Sequence, residues 1–164
     1  MDNAQRLCNA LVLSNFNYCP LIWMFCSKTL DGKINTVHKR ALRAVTRDYN
    51  NSFDELISSV GGLKIHQRNL LTLLAKIYKG IVDVSPSGID KSLFPLKDFP
   101  YYLRTSLLIS LPPAKSIRFG TNSILFRGSQ LWNSVPDSIK KCVSLSLFKK
   151  NVASWDGLKC KCKV

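Results

Sequence analysis

Six cysteines, two histidines and ten carboxylates are the groups in this chain that could hold a metal, attack an electrophile or carry a proton. Their spacing gives them little to do. Cys8, Cys19 and Cys26 lie among apolar residues and read as small hydrophobes. Cys160-Lys161-Cys162 has ligand-like Cys-x-Cys spacing, but a closed zinc site needs four ligands and no second pair lies near it. The other candidates, Cys142, His38 and His66, are distant in sequence. No metal site is therefore expected, with Cys160 and Cys162 the weak candidates. Both histidines project onto or beside apolar helix arcs and read as satisfied structural residues. The acidic residues are scattered singly in cap or turn contexts, apart from Asp54-Glu55, which belongs to a helix start. Two-metal phosphoryl transfer wants converging carboxylates, and none is offered at short range. There is no phosphate-cradling glycine loop and no Gly-x-Ser-x-Gly elbow. No catalytic residue is nominated.

The chemistry on offer is electrostatic. Lys and Arg number 24 against 10 Asp and Glu, for a net charge of +14. Both halves of the chain are basic, so this is not a neutral body with a charged tail. Such a balance attracts polyanions, phosphate backbones above all; the plainer alternative is solubility through self-repulsion. The chain is 46% hydrophobic, which excludes wholesale disorder. Its 164 residues can bury roughly 70% of the unfolded surface. The longest unbroken apolar run covers residues 21–26, far short of the ~18 residues of a membrane span. The polar start Met1-Asp2-Asn3-Ala4-Gln5 has no apolar secretory core, so the expectation is an intracellular protein, cytoplasmic or nuclear, with reduced thiols and no membrane partner.

Helices must position the cations. Asp2 or Asn3 can cap a first helix, and Pro20 should kink the chain or start a new one. Residues 30–47 form the clearest helix. Leu30, Ile34, Val37, Ala41, Leu42 and Val45 share one arc, and Lys33, Lys39, Arg40, Arg43 and Arg47 the other. Ser52-Phe53-Asp54-Glu55 is a capping box, and Gly61-Gly62 should end its short helix. Residues 65–79 are the next helix, with Arg68, Lys76 and Lys79 outward and Gly80 as C-cap. Five prolines then fall within residues 85–113, which read as a connector, with Ser85-Pro86 signalling a short helix. Residues 116–119 and 123–127 could pair as a short β-hairpin around Gly120-Thr121-Asn122. The apolar spacing beyond Asn122 fits a helix equally, and we favour the helix. Ser144 caps a last helix over 145–155. The expected fold is mainly α: a helical bundle over 1–82, a Pro-rich connector over 83–113 and a mostly helical segment over 114–164.

Phe16-Asn17-Tyr18-Cys19-Pro20-Leu21-Ile22-Trp23 resembles the region just after the palm of reverse transcriptases from non-LTR (LINE-type, jockey-like) retrotransposons. That family carries an N-Y-C-x-x-x-W-like helix, a basic helix ending in R-A-L-R, a capped segment and an I-H-x-R-N-like helix. The matching positions are Asn17, Tyr18, Cys19 and Trp23; Arg40, Ala41, Leu42 and Arg43; Ser52, Phe53 and Leu56; and Ile65, His66, Arg68 and Asn69. Leu93-Phe94-Pro95, Arg118-Phe119-Gly120-Thr121, Leu131-Trp132-Asn133-Ser134-Val135-Pro136 and residues 145–155 look like the same family's C-terminal tail.

The resemblance implies the helical thumb and downstream part of an RNA-directed DNA polymerase. The full-length enzyme would use Mg²⁺ on palm aspartates, and the aromatic-x-Asp-Asp turn that carries them is absent here, so this chain is expected to be inactive alone. The family tail often continues as Cys-x-Cys-x-x-Cys, of which only Cys160 and Cys162 are present. The implied partners are an RNA or DNA backbone and the missing palm. Charge and resemblance together nominate Lys33, Lys39, Arg40, Arg43 and Arg47 as phosphate contacts, with Arg68 and Lys76 as weaker candidates. The alternatives are a helical protein-interaction scaffold, or a decayed remnant of a mobile element with no activity of its own.

Overall fold

Ser52 and Glu55 cap each other. Ser52 Oγ accepts from the Glu55 N–H at 3.4 Å, and the Ser52 N–H donates to Glu55 Oε2 at 2.8 Å. Two donors of a helix start that would otherwise lack partners are thereby satisfied, as the sequence pattern predicts. The computed structural model describes residues 2–25, 27–82, 93–97 and 107–159. The protein is mainly α-helical. Among the described residues the β pairing is an isolated antiparallel bridge between Leu96 and Ile109. Among the described residues, those up to Asn69 form one compact unit and those from Leu70 to Lys159 a second, so the division falls inside a helix.

In the first unit, α1 (Asp2–Cys8) runs through a π-helical stretch (Asn9–Leu13) into α2 (Ser14–Asn17). Cys19 turns the chain with a left-handed backbone, φ 42°, and Pro20 opens α3 (Pro20–Trp23), where its missing N–H is no loss. Trp23 Nε1 donates to the Tyr18 carbonyl at 3.1 Å across that turn. The long helix α4 (Lys28–Thr46) ends at Arg47, which is left-handed at φ 56°. The next helix, α5 (Phe53–Val60), ends at Gly61, whose φ of 65° is the conformation glycine adopts without strain. Leu42, Leu56 and Ile57 form a buried cluster backed by Phe53 and Val60.

α6 (Ile65–Ile81) begins in the first unit and continues in the second. Gly80 does not end it; the helix runs through Ile81 with Gly80 buried inside it. In the second unit Tyr78 stacks on Phe148 at 4.4 Å, and Phe148 lies 6.0 Å from Trp132. Trp132 and Phe148 are fully buried. Indole Nε1 of Trp132 donates to the Leu107 carbonyl at 2.8 Å, and Asn133 exchanges hydrogen bonds with the Ile109 backbone at 2.9 and 3.0 Å. These bonds satisfy the irregular chain that crosses the core there.

The hairpin considered for 116–127 does not form. Ile117–Thr121 is a π-helical turn, and Ser123 caps α7 (Ile124–Ser134) by accepting from Phe126 N–H at 3.2 Å. The apolar stripe decides it: Leu131 and Trp132 are buried, and a Cβ built on Gly128 would lie 3.1 Å from the Phe94 ring. α8 (Asp137–Lys140) follows Pro136, and Ser144 caps α9 (Leu145–Ser154), which leads to a 3-10 turn over Asp156–Lys159. Ser85-Pro86, Cys26, Cys160 and Cys162 lie outside the described residues.

Candidate nucleic-acid interface

α4 has two chemically different sides. His38 and Leu42 are buried, and Ile34, Ala41 and Val45 are half-buried beside them. Lys33, Arg40 and Arg47 are exposed, and Lys39 and Arg43 are half-exposed. At about 100° per residue, Lys33, Arg40 and Arg43 fall within an arc of about 80°, opposite His38 and Leu42. Lys39 flanks that arc, and Arg47 continues it one residue past the helix. Lys33 to Arg47 spans about 21 Å along the axis, the rise of about six base pairs of duplex.

Intramolecular carboxylates do not neutralise the row. Among the described residues Lys33, Lys39, Arg40, Arg43 and Arg47 enter no ion pair. Asp31, the acid at the start of α4, is half-buried and accepts from Asn35 Nδ2 at 2.8 Å. Asp48, just past the helix, accepts from the backbone N–H groups of Asn50 and Asn51 at 3.1 and 3.2 Å. Arg43 lays its stem down far enough to bury Nε without a partner. Long basic side chains commonly cover apolar surface while their charged end stays near water.

The two weaker candidates lie on α6. Arg68 lines a cavity with His38, which faces away from the cationic side of α4. Lys76 is exposed on α6 in the second unit. Helical projection places a side chain on an arc of its own helix; it gives no information on which arcs of different helices share a surface.

Asp54 pairs with Lys64 at 2.6 Å, and Lys64 Nζ lies 5.7 Å from the Phe53 ring centroid. With Glu55 closing the cap, these adjacent carboxylates do not fit a Mg²⁺ site. Among the described residues no three His, Cys, Asp or Glu side chains gather to hold a metal. Cys19 is exposed at its tight turn rather than packed as a hydrophobe. Cys8 is half-buried, and burial pushes its thiol up from the ordinary range. His38 is buried edge-on to Phe53 at 5.4 Å, but unlike the satisfied residue expected, its Nδ1 finds no partner. Burial, aided by the charge of Arg68, lowers its pKa to about 4. Among the described residues no helix is long and apolar enough to cross a membrane.

Sequence reasoning missed Lys140. Its side chain is 1% exposed, with Nζ 3.6 Å from Asp137 Oδ1, 3.4 Å from the Asn133 carbonyl and 5.9 Å from the Trp132 ring centroid. Only the i,i+3 spacing from Asp137 hinted at the pairing. Compared with protein-family models, curated proteins and solved structures, the chain matches none.

Proposed function

We propose that this chain is a non-catalytic nucleic-acid-gripping module, the thumb and downstream part of an RNA-directed DNA polymerase of a non-LTR mobile element. The observation that carries the reading is the α4 row: five cations free of ion pairs among the described residues, on the side of the helix opposite buried His38 and Leu42. Lys33, Lys39, Arg40, Arg43 and Arg47 contact backbone phosphates. Contacts of this kind position a duplex without reading its sequence. The resemblance supplies the polymerase context, in which Mg²⁺ chemistry belongs to a palm outside this chain.

Binding of an RNA–DNA hybrid measured against salt tests the reading. Four contacts give a log–log slope of about −3.6 on B-DNA-like duplexes. The Lys39/Arg40/Arg43/Arg47→Glu variant loses most of that slope. Equal slopes for variant and parent take these residues out of the interface.

A second reading rests on a specific observation. Leu7, Leu11, Tyr18, Ile22, Leu30 and Val37 of the first unit are exposed, Ile22 by 82%. Several large apolar side chains in water mark a protein contact when they are contiguous. A scaffold would associate as concentration rises in size-exclusion chromatography, whereas a phosphate binder stays monomeric.

A further inference from the structure

Tyr49 stands two residues past Arg47, where the cation row of α4 ends, so the two Cα atoms lie within about 7 Å of each other. Its side chain is 67% exposed and enters no ring contact among the described residues. The turn that carries it is held from within. Asp48 N–H donates to Thr46 Oγ1 at 3.3 Å, and Asp48 Oδ1 accepts from the N–H groups of Asn50 and Asn51. Asp48 Oδ2 accepts from Asn51 Nδ2, and Ser52 N–H is taken by Glu55. Asp side chains that bond the backbone just ahead of them set the shape of a turn locally. The acid beside Tyr49 is thus engaged with donors of its own loop. What the loop leaves in water is a flat ring with only two side-chain torsions to fix on binding.

We propose that Tyr49 stacks on an unpaired nucleobase of a strand whose phosphates lie along the α4 row. The inference rests on the phosphate reading of α4 and adds a contact to a base, which the cations do not make. A base inside a duplex has both faces covered by its neighbours, so a protein ring finds its partner where the strand is single. The separation suits this: about 7 Å is two steps of 3.4 Å along a strand, so the ring falls one or two nucleotides from a phosphate held by Arg47. Stacking of this kind tolerates any sequence, because every base has a π face. Tyr18 is more exposed, at 78%, but lacks the neighbours. Residues 7–27, which include it, contain no Lys, Arg, His, Asp or Glu, so no cation adjoins that ring in the chain.

RNA–DNA hybrids with a short single-stranded extension test the proposal on the full chain. One extension carries its bases, and the other is abasic along the same sugar-phosphate backbone. The two have equal charge, so their affinity ratio at fixed salt reports the bases alone. The expected result is binding at least about fivefold tighter with bases than without, the effect of one base stacked on an aromatic ring. Tyr49→Ala brings the ratio near one, whereas Tyr49→Trp and Tyr18→Ala keep it. Tyr49 is exposed, so its replacement leaves the packed core untouched. On a blunt hybrid the salt slope of Tyr49→Ala equals that of the parent. A parent ratio near one, a ratio that survives in Tyr49→Ala, or a ratio lost in Tyr18→Ala would overturn the role of Tyr49. The charge-reversal slope on the blunt hybrid judges the α4 row separately, because that hybrid offers no unpaired base.

Discussion

The main-chain N–H of Arg47 donates to the Arg43 carbonyl at 2.8 Å, and Arg47 makes this bond in a left-handed conformation, φ 56°. An L-residue with a Cβ adopts that region at a cost of about 1–2 kcal/mol, which glycine avoids. A helix C-terminus selected for stability alone would carry glycine there, as α5 does at Gly61.

Arg47→Gly therefore separates stability from binding. We expect the variant to gain about 0.5–1 kcal/mol in denaturant unfolding, through relief of the left-handed side chain at the C-cap. If Arg47 contacts a phosphate, the same variant loses about 0.9 from the log–log salt slope on duplex DNA. A more stable protein with an unchanged slope would leave the other four residues as the row.

Lys140 and Asp137 give a second prediction. Burial lowers the lysine pKa from its ordinary value, while the charge and hydrogen bond of Asp137 oppose that shift. The folded pKa thus lies below the unfolded one, so at neutral pH the buried ammonium weighs against the folded state. Lys140→Met keeps an unbranched side chain one atom shorter and removes the charge. It should be neutral or stabilising by about 1 kcal/mol in urea unfolding. Asp137→Asn leaves the ammonium without its counter-charge and should destabilise. The reverse ordering of the two variants would show that the pair contributes net stability.

What the sequence made legible follows from the range of the interactions. The Ser52–Glu55 cap and the Ser144 cap depend on residues within a turn or two, and both are found, whereas the apolar arc expected on α4 buries Leu42 but leaves Leu30 and Val37 exposed. Gly80 was misread because its own propensity favours a helix end, whereas it is buried within α6. The hairpin alternative near 116–127 failed for a similar reason. Packing of Gly128 against Phe94 involves residues 34 positions apart, and no local pattern encodes it. Arg68 shows the limit most clearly. Its place on α6 was readable, but the cavity it shares with His38 is made by segments from residue 5 to residue 68.

His38 supplies the last prediction. Its pKa of about 4 lies below the ordinary value of 6.5, first because burial disfavours the imidazolium and then because Arg68 is positive. A depressed folded pKa means the unfolded chain binds the extra proton first as pH falls. The stability this histidine contributes is therefore fully present above about pH 6.5 and is lost progressively as pH falls toward 4. Carboxylates titrate near the lower end of that window, so a comparison is needed. His38→Phe keeps an aromatic ring beside Phe53 and has nothing to protonate. The difference in stability between parent and variant, followed by urea unfolding from pH 7.5 to 4, should grow in favour of the variant as pH falls. A difference that stays constant with pH would mean that His38 is not held neutral by its surroundings.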